Sequence, residues 1–295
     1  MELRIDNLSK HYGSQIAVNN FSVILNEGVH ALLGSNGSGK TTLMRMICDV
    51  LKPTSGTIFV GGTSITVMGE QYRELLGYLP QSFGYYPNFT GWDFIMYLAA
   101  LKGLPKITAR ERSEELLRLV GLYEVRNKKI KTYSGGMRQR IGIAQALIND
   151  PAILILDEPT VGLDPKERAN FRNIISNLSE DKIILLSTHI VSDIEYIADN
   201  ILIMKNGELA LTGDSGTICS NIDGLVWSGT VSQSDADKLM EKFVVSSLRH
   251  TTNTIEMRIV SEKKPFENAV QVDPNLEDLY LYYFKEEGLN ELNEI

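Results

Sequence analysis

Residues 34 to 41 read GSNGSGKT and match the pattern G-x-x-x-x-G-K-[ST] at every fixed position. Glycines in such a loop let backbone N–H groups turn inward around a phosphate chain. Lys40 then supplies a cation for the terminal phosphates, and the Thr41 hydroxyl offers magnesium an oxygen ligand. From average residue usage, such a match arises by chance in about one chain in a hundred of this size, so the loop is read as a functional phosphate site. A second group is ILILDEPT, Ile153 to Thr160, an apolar run ending in two carboxylates. Asp157, at the end of a strand, is suited to hold magnesium through its water shell, and Glu158 to polarise an attacking water. Alone, Asp-Glu-Pro merely ends a strand and starts a turn. Downstream of a complete phosphate loop, the pair reads as chemistry.

A third group is YSGGMRQR, Tyr133 to Arg140. Ser134, Gly135 and Gly136 put a hydroxyl and bare N–H groups at a helix N-terminus, which is an anion site. Together with the phosphate loop, the Asp157-Glu158 pair and Thr188-His189 after a later strand, this order of motifs resembles the ATP-binding subunit of ABC transporters. The resemblance spans about residues 1 to 213. It implies an α/β fold, a P-loop NTPase cassette with an antiparallel β subdomain and an inserted helical subdomain at about 82 to 149.

Further roles follow from the resemblance, each on a matching position. Tyr12 stacks on adenine, and Gly34, Ser35, Asn36, Gly37, Ser38, Gly39, Lys40, Thr41 and Thr42 cradle the phosphates. Gln81, in YLPQ, approaches both magnesium and the water, His189 contacts the γ-phosphate and ties it to Glu158, and Asp164, in VGLD, touches the opposite subunit. The implied cofactors are ATP and magnesium. The implied mechanism pairs two copies head to tail, with ATP between Lys40 of one and Ser134, Gly135 and Gly136 of the other. Opening and closing of that pair drives a separate polytopic membrane subunit. The signature departs from the commonest form, because Tyr133 stands for a leucine and Met137 for a glutamine. This variant, with its C-terminal extension, looks most like ATPase subunits of bacterial exporters for drugs, peptide antibiotics or lipids.

The elements that must position these residues are legible around them. VHALL, residues 29 to 33, is a continuous apolar run of the kind found in a buried parallel strand. After the loop, Leu43, Met46, Ile47, Val50 and Leu51 recur at helical spacing, and Lys52-Pro53 is the expected stop. Residues 1 to 27 alternate in polarity and predict antiparallel strands turning at His11 to Ser14. From Tyr72 to Asn149 the pattern is mostly helical. Thr90 and Asp93 form a capping pair closed by Gly103, and a second helix is expected over about Thr108 to Val120. AILIL at 152 to 156, IILLS at 183 to 187 and 201 to 204 read as buried strands, with a helix from Pro165 to Leu178 and a turn at Asn206-Gly207.

Past Gly213 the texture changes, and residues 214 to 295 are expected to form a small α+β accessory domain. There the sequence predicts a strand, a helix from Ser234 to Phe243, a hairpin turning at Thr252-Asn253, and an amphipathic helix from about Asn275 carrying Leu276, Leu279, Tyr280, Tyr283 and Phe284 on one face.

Composition narrows the function classes. With 43% hydrophobic and 22% charged residues the chain is globular, and a net charge of -8 repels phosphate backbones, so nucleic acid is not an expected partner. The two cysteines, Cys48 and Cys219, lack metal-ligand spacing and fit a reducing compartment. No apolar stretch approaches the ~20 residues that cross a bilayer. The expectation is a cytoplasmic protein held at the inner face of the membrane through another subunit. The alternative class is a non-transport ATPase of this fold acting as a soluble nucleotide-gated assembly or regulatory factor. Translation factors of that kind carry two cassettes and DNA-maintenance relatives carry long coiled coils, and the sequence has neither.

Overall fold

The computed structural model describes residues 1–251 and 254–284. The chain divides into two compact units, one covering Met1–Ala210 and a second starting at Leu211, with the division inside the strand Glu208–Gly213.

The first unit is built on a six-stranded sheet. Its spatial order is Glu208–Gly213, Asn200–Lys205, Gly28–Leu33, Ile183–Thr188, Ile153–Asp157 and Leu76–Leu79. The last five run parallel. Gly28–Leu33, Ile153–Asp157 and Ile183–Thr188 are buried at every residue, as continuous apolar runs in a sheet covered on both faces must be. Register decides where the chemistry falls. Leu33 pairs with Thr188 and Asp157 with Ser187, so the three central strands end level. The phosphate loop, the Asp157-Glu158 pair and His189 all leave from that one carboxyl edge, the edge where parallel sheets bind ligands.

A four-stranded antiparallel sheet, in the order Gln15–Leu25, Leu3–Tyr12, Ser55–Val60 and Thr63–Ser64, lies over this frame. Leu3, Ile5 and Phe21 from it share one core with Leu32, Met44 and Ile155. The helical insert carries three main helices, Gly91–Leu101, Lys106–Leu119 and Gly135–Ala146. The capping box at Thr90 is formed as the spacing predicts: Thr90 Oγ1 accepts from the Asp93 N–H at 3.0 Å, and the Thr90 N–H donates to Asp93 Oδ2 at 3.3 Å.

Two expectations need correction. Leu76–Leu79 is a sheet strand within the stretch that reads as helical. It is four residues long, too short for periodicity to register, and Gly77 is required because a Cβ there would lie 2.2 Å from the Ala146 carbonyl oxygen. The phosphate-loop helix also stops at Ile47, well before Lys52-Pro53. Asp49 adopts φ +56° and the Val50 N–H turns back to the Arg45 carbonyl at 3.0 Å, which closes the helix and leaves Val50 66% exposed.

The second unit has a sheet in the order Val244–His250, Ile255–Val260, Val226–Val231 and Val270–Gln271. Ala236 of the helix Gln233–Met240 packs with Ile255, Met257 and Ile259 on the sheet. The turn expected at Thr252-Asn253 lies outside the described residues; the strands that it would join pair antiparallel up to His250 and Ile255. The helix Leu276–Tyr283 buries Leu276 and Leu279, and its fully buried Asp278 takes hydrogen bonds from Arg258 Nε and Nη2 at 2.9 and 2.7 Å.

Candidate active site

The phosphate loop is shaped by close packing against its neighbours. Gly39 has φ +104°, and a Cβ there would lie 2.2 Å from the Ala17 carbonyl oxygen. A Cβ on Gly34 would meet the Met204 carbonyl oxygen at 2.6 Å. The loop therefore threads between the antiparallel sheet and a parallel strand with no room for a side chain at Gly34 or Gly39. Lys40 Nζ donates to the carbonyls of Gly34 and Ser35 at 2.7 and 2.8 Å, folding its stem back across the loop. The helix Lys40–Ile47 begins with no side-chain cap and no acidic residue in its first turn, so its N–H groups and positive dipole end are left for an anion.

A cleft of about 360 Å³ opens at this point. It gathers Asn36, Gly37, Gly39, Lys40, Thr41 and Thr42 from the loop and its helix, with Tyr12, Gln81 and Glu158 from three other elements. Tyr12 is 48% exposed, a ring available for stacking, with Lys10 Nζ 5.4 Å from its centroid. Gln15, Ile16 and Ala17 complete the wall. Sequence reading missed these three because nothing in a hairpin strand signals which edge will meet a loop.

Behind the cleft sits a chain of hydrogen bonds. Glu158 is buried and held at φ +50°, a left-handed conformation uncommon for a carboxylate residue. Its N–H donates to Ser187 Oγ at 2.8 Å, and that hydroxyl donates to Asp157 Oδ1 at 2.7 Å. His189 Nδ1 lies 3.0 Å from Glu158 Oε2. Ser187 thus fixes the Asp157 carboxylate and the Glu158 backbone with one hydroxyl, and sequence analysis did not single it out. The available signal was its position, one residue before the Thr188-His189 pair at the end of an otherwise apolar strand.

The donor set fits magnesium. Asp157 is fully buried, and its Oδ2 has no hydrogen-bond partner among the described residues. Such an oxygen is costly unless a cation or ordered water meets it. Thr41, Gln81 and Asp157 offer hard oxygen ligands only.

Ser134, Gly135, Gly136 and Asp164 do not line this cleft. Ser134 caps the helix Gly135–Ala146, its Oγ accepting from the Met137 N–H at 3.1 Å, and Asp164 caps Pro165–Leu178, its Oδ1 accepting from the Glu167 N–H at 2.8 Å. Arg140 Nε and Glu167 Oε2, 2.9 Å apart, tie these two helices together. A Cβ on Gly136 would meet the Glu167 carboxylate at 2.7 Å, so a glycine is needed for that approach. Tyr133, the departure from leucine, is buried. Its hydroxyl donates to the Val125 carbonyl at 3.1 Å and fits only because Gly91 has no Cβ. Burial pushes the Tyr133 phenol above its ordinary range.

A level carboxyl edge, an uncapped phosphate loop and a serine-braced carboxylate pair define a nucleotide-hydrolysing cassette. The profile of the ABC transporter family matches residues 18–161. An uncharacterized ABC transporter ATP-binding protein of Bacillus subtilis (strain 168), YxlF, is 40% identical over 249 residues, which is 83% of this chain and 82% of that protein. The linearmycin resistance ATP-binding protein LnrL of the same organism is 34% identical over 265 residues, 87% of this chain and 84% of LnrL. Among solved structures, a dimeric post-hydrolysis state of the ATP-binding cassette MJ0796 bound to ADP and Pi superimposes with a TM-score of 0.65 at 25% identity, covering 72% of this chain and 98% of that one. The chain belongs to the ABC transporter family as an ATP-binding subunit. It is an ATPase, and ATP with magnesium is its cofactor pair.

Proposed function

We propose that this chain hydrolyses ATP between two copies of itself and uses the resulting opening and closing to power a separate membrane subunit, in the direction of export. The observation that carries this reading is the separation of two half-sites. Lys40 and Glu158 line the cleft, whereas Ser134 and Gly135 stand exposed at a helix N-terminus outside it. One nucleotide meets both only if a second chain supplies the signature. The MJ0796 cassette is dimeric in its ADP-and-Pi state, which supports the pairing. LnrL is by name a linearmycin resistance protein, which supports export of an antibiotic-like cargo.

In this mechanism the loop N–H groups and Lys40 hold the β- and γ-phosphates. Magnesium, when bound, neutralises charge on those oxygens and would be held by Thr41, Asp157 and Gln81. Glu158 accepts a hydrogen bond from the attacking water, and its pairing with His189 aims the carboxylate. Tyr12 stacks on the base. Ser134, Gly135 and Gly136 of the opposite copy close on the γ-phosphate, and Asp164 contacts that copy. Cleavage adds charge repulsion and removes the bridging contacts, so the pair reopens.

The membrane subunit is engaged through the insert around Tyr85 to Leu104, holding the chain at the inner face of the cell membrane. The rings Tyr86, Phe89 and Tyr97 cluster there with centroids 4.8 to 5.8 Å apart, and Tyr86 is 48% exposed. Phe83 instead packs inward against Gly142. The described residues beyond Gly213 belong to an accessory domain that carries none of these groups. The test is the oligomeric state of Glu158→Gln with and without ATP. A dimer that forms only with ATP while turnover collapses is the expected result. A monomer that still turns ATP over refutes both the pairing and the role of Glu158.

A further inference from the structure

A second cleft, of about 430 Å³, lies wholly within the helical insert and shares no residue with the ATP cleft. Trp92, Met96 and Tyr123 give it an apolar and aromatic floor, and Lys106, Arg110 and Arg126 stand around it. Its single carboxylate, Glu114, is already committed: it accepts from Arg118 Nη2 and from the Tyr123 hydroxyl at 2.8 Å each. Tyr123 is flanked by the guanidinium groups of Arg118 and Arg126, 3.6 and 3.8 Å from its ring centroid. Lys106 and Arg110 are exposed and, among the described residues, have no hydrogen-bond or ion-pair partner. Two cations are therefore left over at a cleft whose acid is used.

The surroundings have the same sign. Residues 82 to 149 hold eleven Lys and Arg against five Asp and Glu, a net of +6, which leaves -14 for the remainder of a chain whose total is -8. Within the unit Met1–Ala210, whose net charge is zero, the insert is the cationic part and the other residues sum to -6, so the insert is the part of that unit drawn to a negative surface. The carbonyls of Arg126 and Lys128 accept from the N–H groups of Trp92 and Gly91 at 2.9 and 3.3 Å, which brings the exposed Lys128 and Lys129 alongside the start of Gly91–Leu101. Exposed apolar side chains stand close by in sequence, Ile107 at 76% and Leu101 at 66%. Cations around a cleft lined by Trp92 and Tyr123 suit the headgroup layer of a bilayer, where Trp and Tyr sit among phosphates and Lys and Arg reach them.

The geometry points to a direct contact between this cleft and acidic phospholipid headgroups, with Lys106 and Arg110 on the phosphates and Trp92 at the headgroup level. Trp92 and Met96 fall within the stretch Tyr85 to Leu104 that also engages the membrane subunit in the proposed function, so the contact is defined for this chain alone, without nucleotide or that subunit, and its failure leaves the proposed ATPase cycle untouched. It gives the subunit its own affinity for the membrane surface and a preferred face toward it.

The test is flotation of the full chain with phosphatidylglycerol vesicles and with phosphatidylcholine vesicles, at low and raised salt, for the wild type and for Lys106→Gln with Arg110→Gln. Each cation lost is expected to weaken binding to the acidic vesicles about fivefold, so the double variant should bind more than tenfold less, with unchanged ATP turnover and melting temperature. Lys106→Arg should bind as the wild type. Equal binding of the wild type to both vesicle types, or a double variant that floats like the wild type, overturns the proposal. Acidic vesicles that fail to bind while polyglutamate binds through the same two cations also overturn it, assigning the cleft to an acidic protein segment.

Discussion

Removing one hydroxyl, in Ser187→Ala, should disable the site more than any other small change outside the named motifs. Ser187 is fully buried; its Oγ donates to Asp157 Oδ1 at 2.7 Å and accepts from the Glu158 N–H at 2.8 Å. The substitution leaves a buried carboxylate oxygen and a buried N–H without these partners. A hydrogen bond to a charged group contributes about 1.5–3 kcal/mol, and an unsatisfied buried donor costs about 1–3 kcal/mol. Allowing for partial relaxation, the loss is about 3 kcal/mol, which lowers the melting temperature of a unit of this size by about 6–12 °C. Glu158 also loses what fixes its left-handed backbone, so kcat should fall by at least about tenfold while KM for ATP changes less. Calorimetry and steady-state turnover below the melting transition read the two effects separately. A variant that melts within about 2 °C of the wild type and keeps its kcat refutes the claim that one serine positions the Asp157 carboxylate and the Glu158 backbone.

Three further outcomes follow from the geometry. Gly39→Ala should abolish nucleotide binding, measured by fluorescent ATP titration, because its Cβ would lie 2.2 Å from a backbone oxygen at φ +104°. Burial holds the His30 imidazole below its ordinary value, against an opposing hydrogen bond to Asn26 and the charge of Asp199. The folded form thus binds its proton less readily than the unfolded form, so stability present above about pH 6.5 should be lost as pH falls through that value and below. The acid-side slope of the melting curve should flatten in His30→Gln. Asp278→Ala strips the buried partner from Arg258 and should cost about 3–5 kcal/mol, seen as faster proteolysis after Leu211 than in the wild type.

The candidate edge was legible in part because its residues are constrained locally. A phosphate loop needs glycines at fixed spacing, and buried parallel strands read as unbroken apolar runs, so Gly34 to Thr41, Asp157 and Glu158 stand out in the sequence, whereas His189 was reached through the family resemblance. The residues that the sequence hid are set by register. Ser187 matters because Ile183–Thr188 pairs level with Ile153–Asp157, and Ala17 matters because a strand edge presses on Gly39. Neither relation has a period. Element ends were the weakest reading. Val50 and Leu51 continue the helical spacing, yet Asp49 turns left-handed and ends the helix before them. The strand Leu76–Leu79 exists through its pairing with Ile153–Leu156, a tertiary cause that four residues cannot display. The cationic cleft of the insert was likewise invisible along the chain, because its residues come from three separated segments and the net charge has the opposite sign.

The central claim is that one ATP is completed by two chains, and mixing tests it most directly. Lys40→Met and Ser134→Glu should each abolish turnover when purified alone. In an equimolar mixture, a heterodimer holds one site with an intact Lys40 facing an intact Ser134, and turnover should reappear as the two proteins are combined. If each variant is dead and the mixture stays dead although the two chains associate with ATP, or if Ser134→Glu alone retains full turnover, the shared site is contradicted.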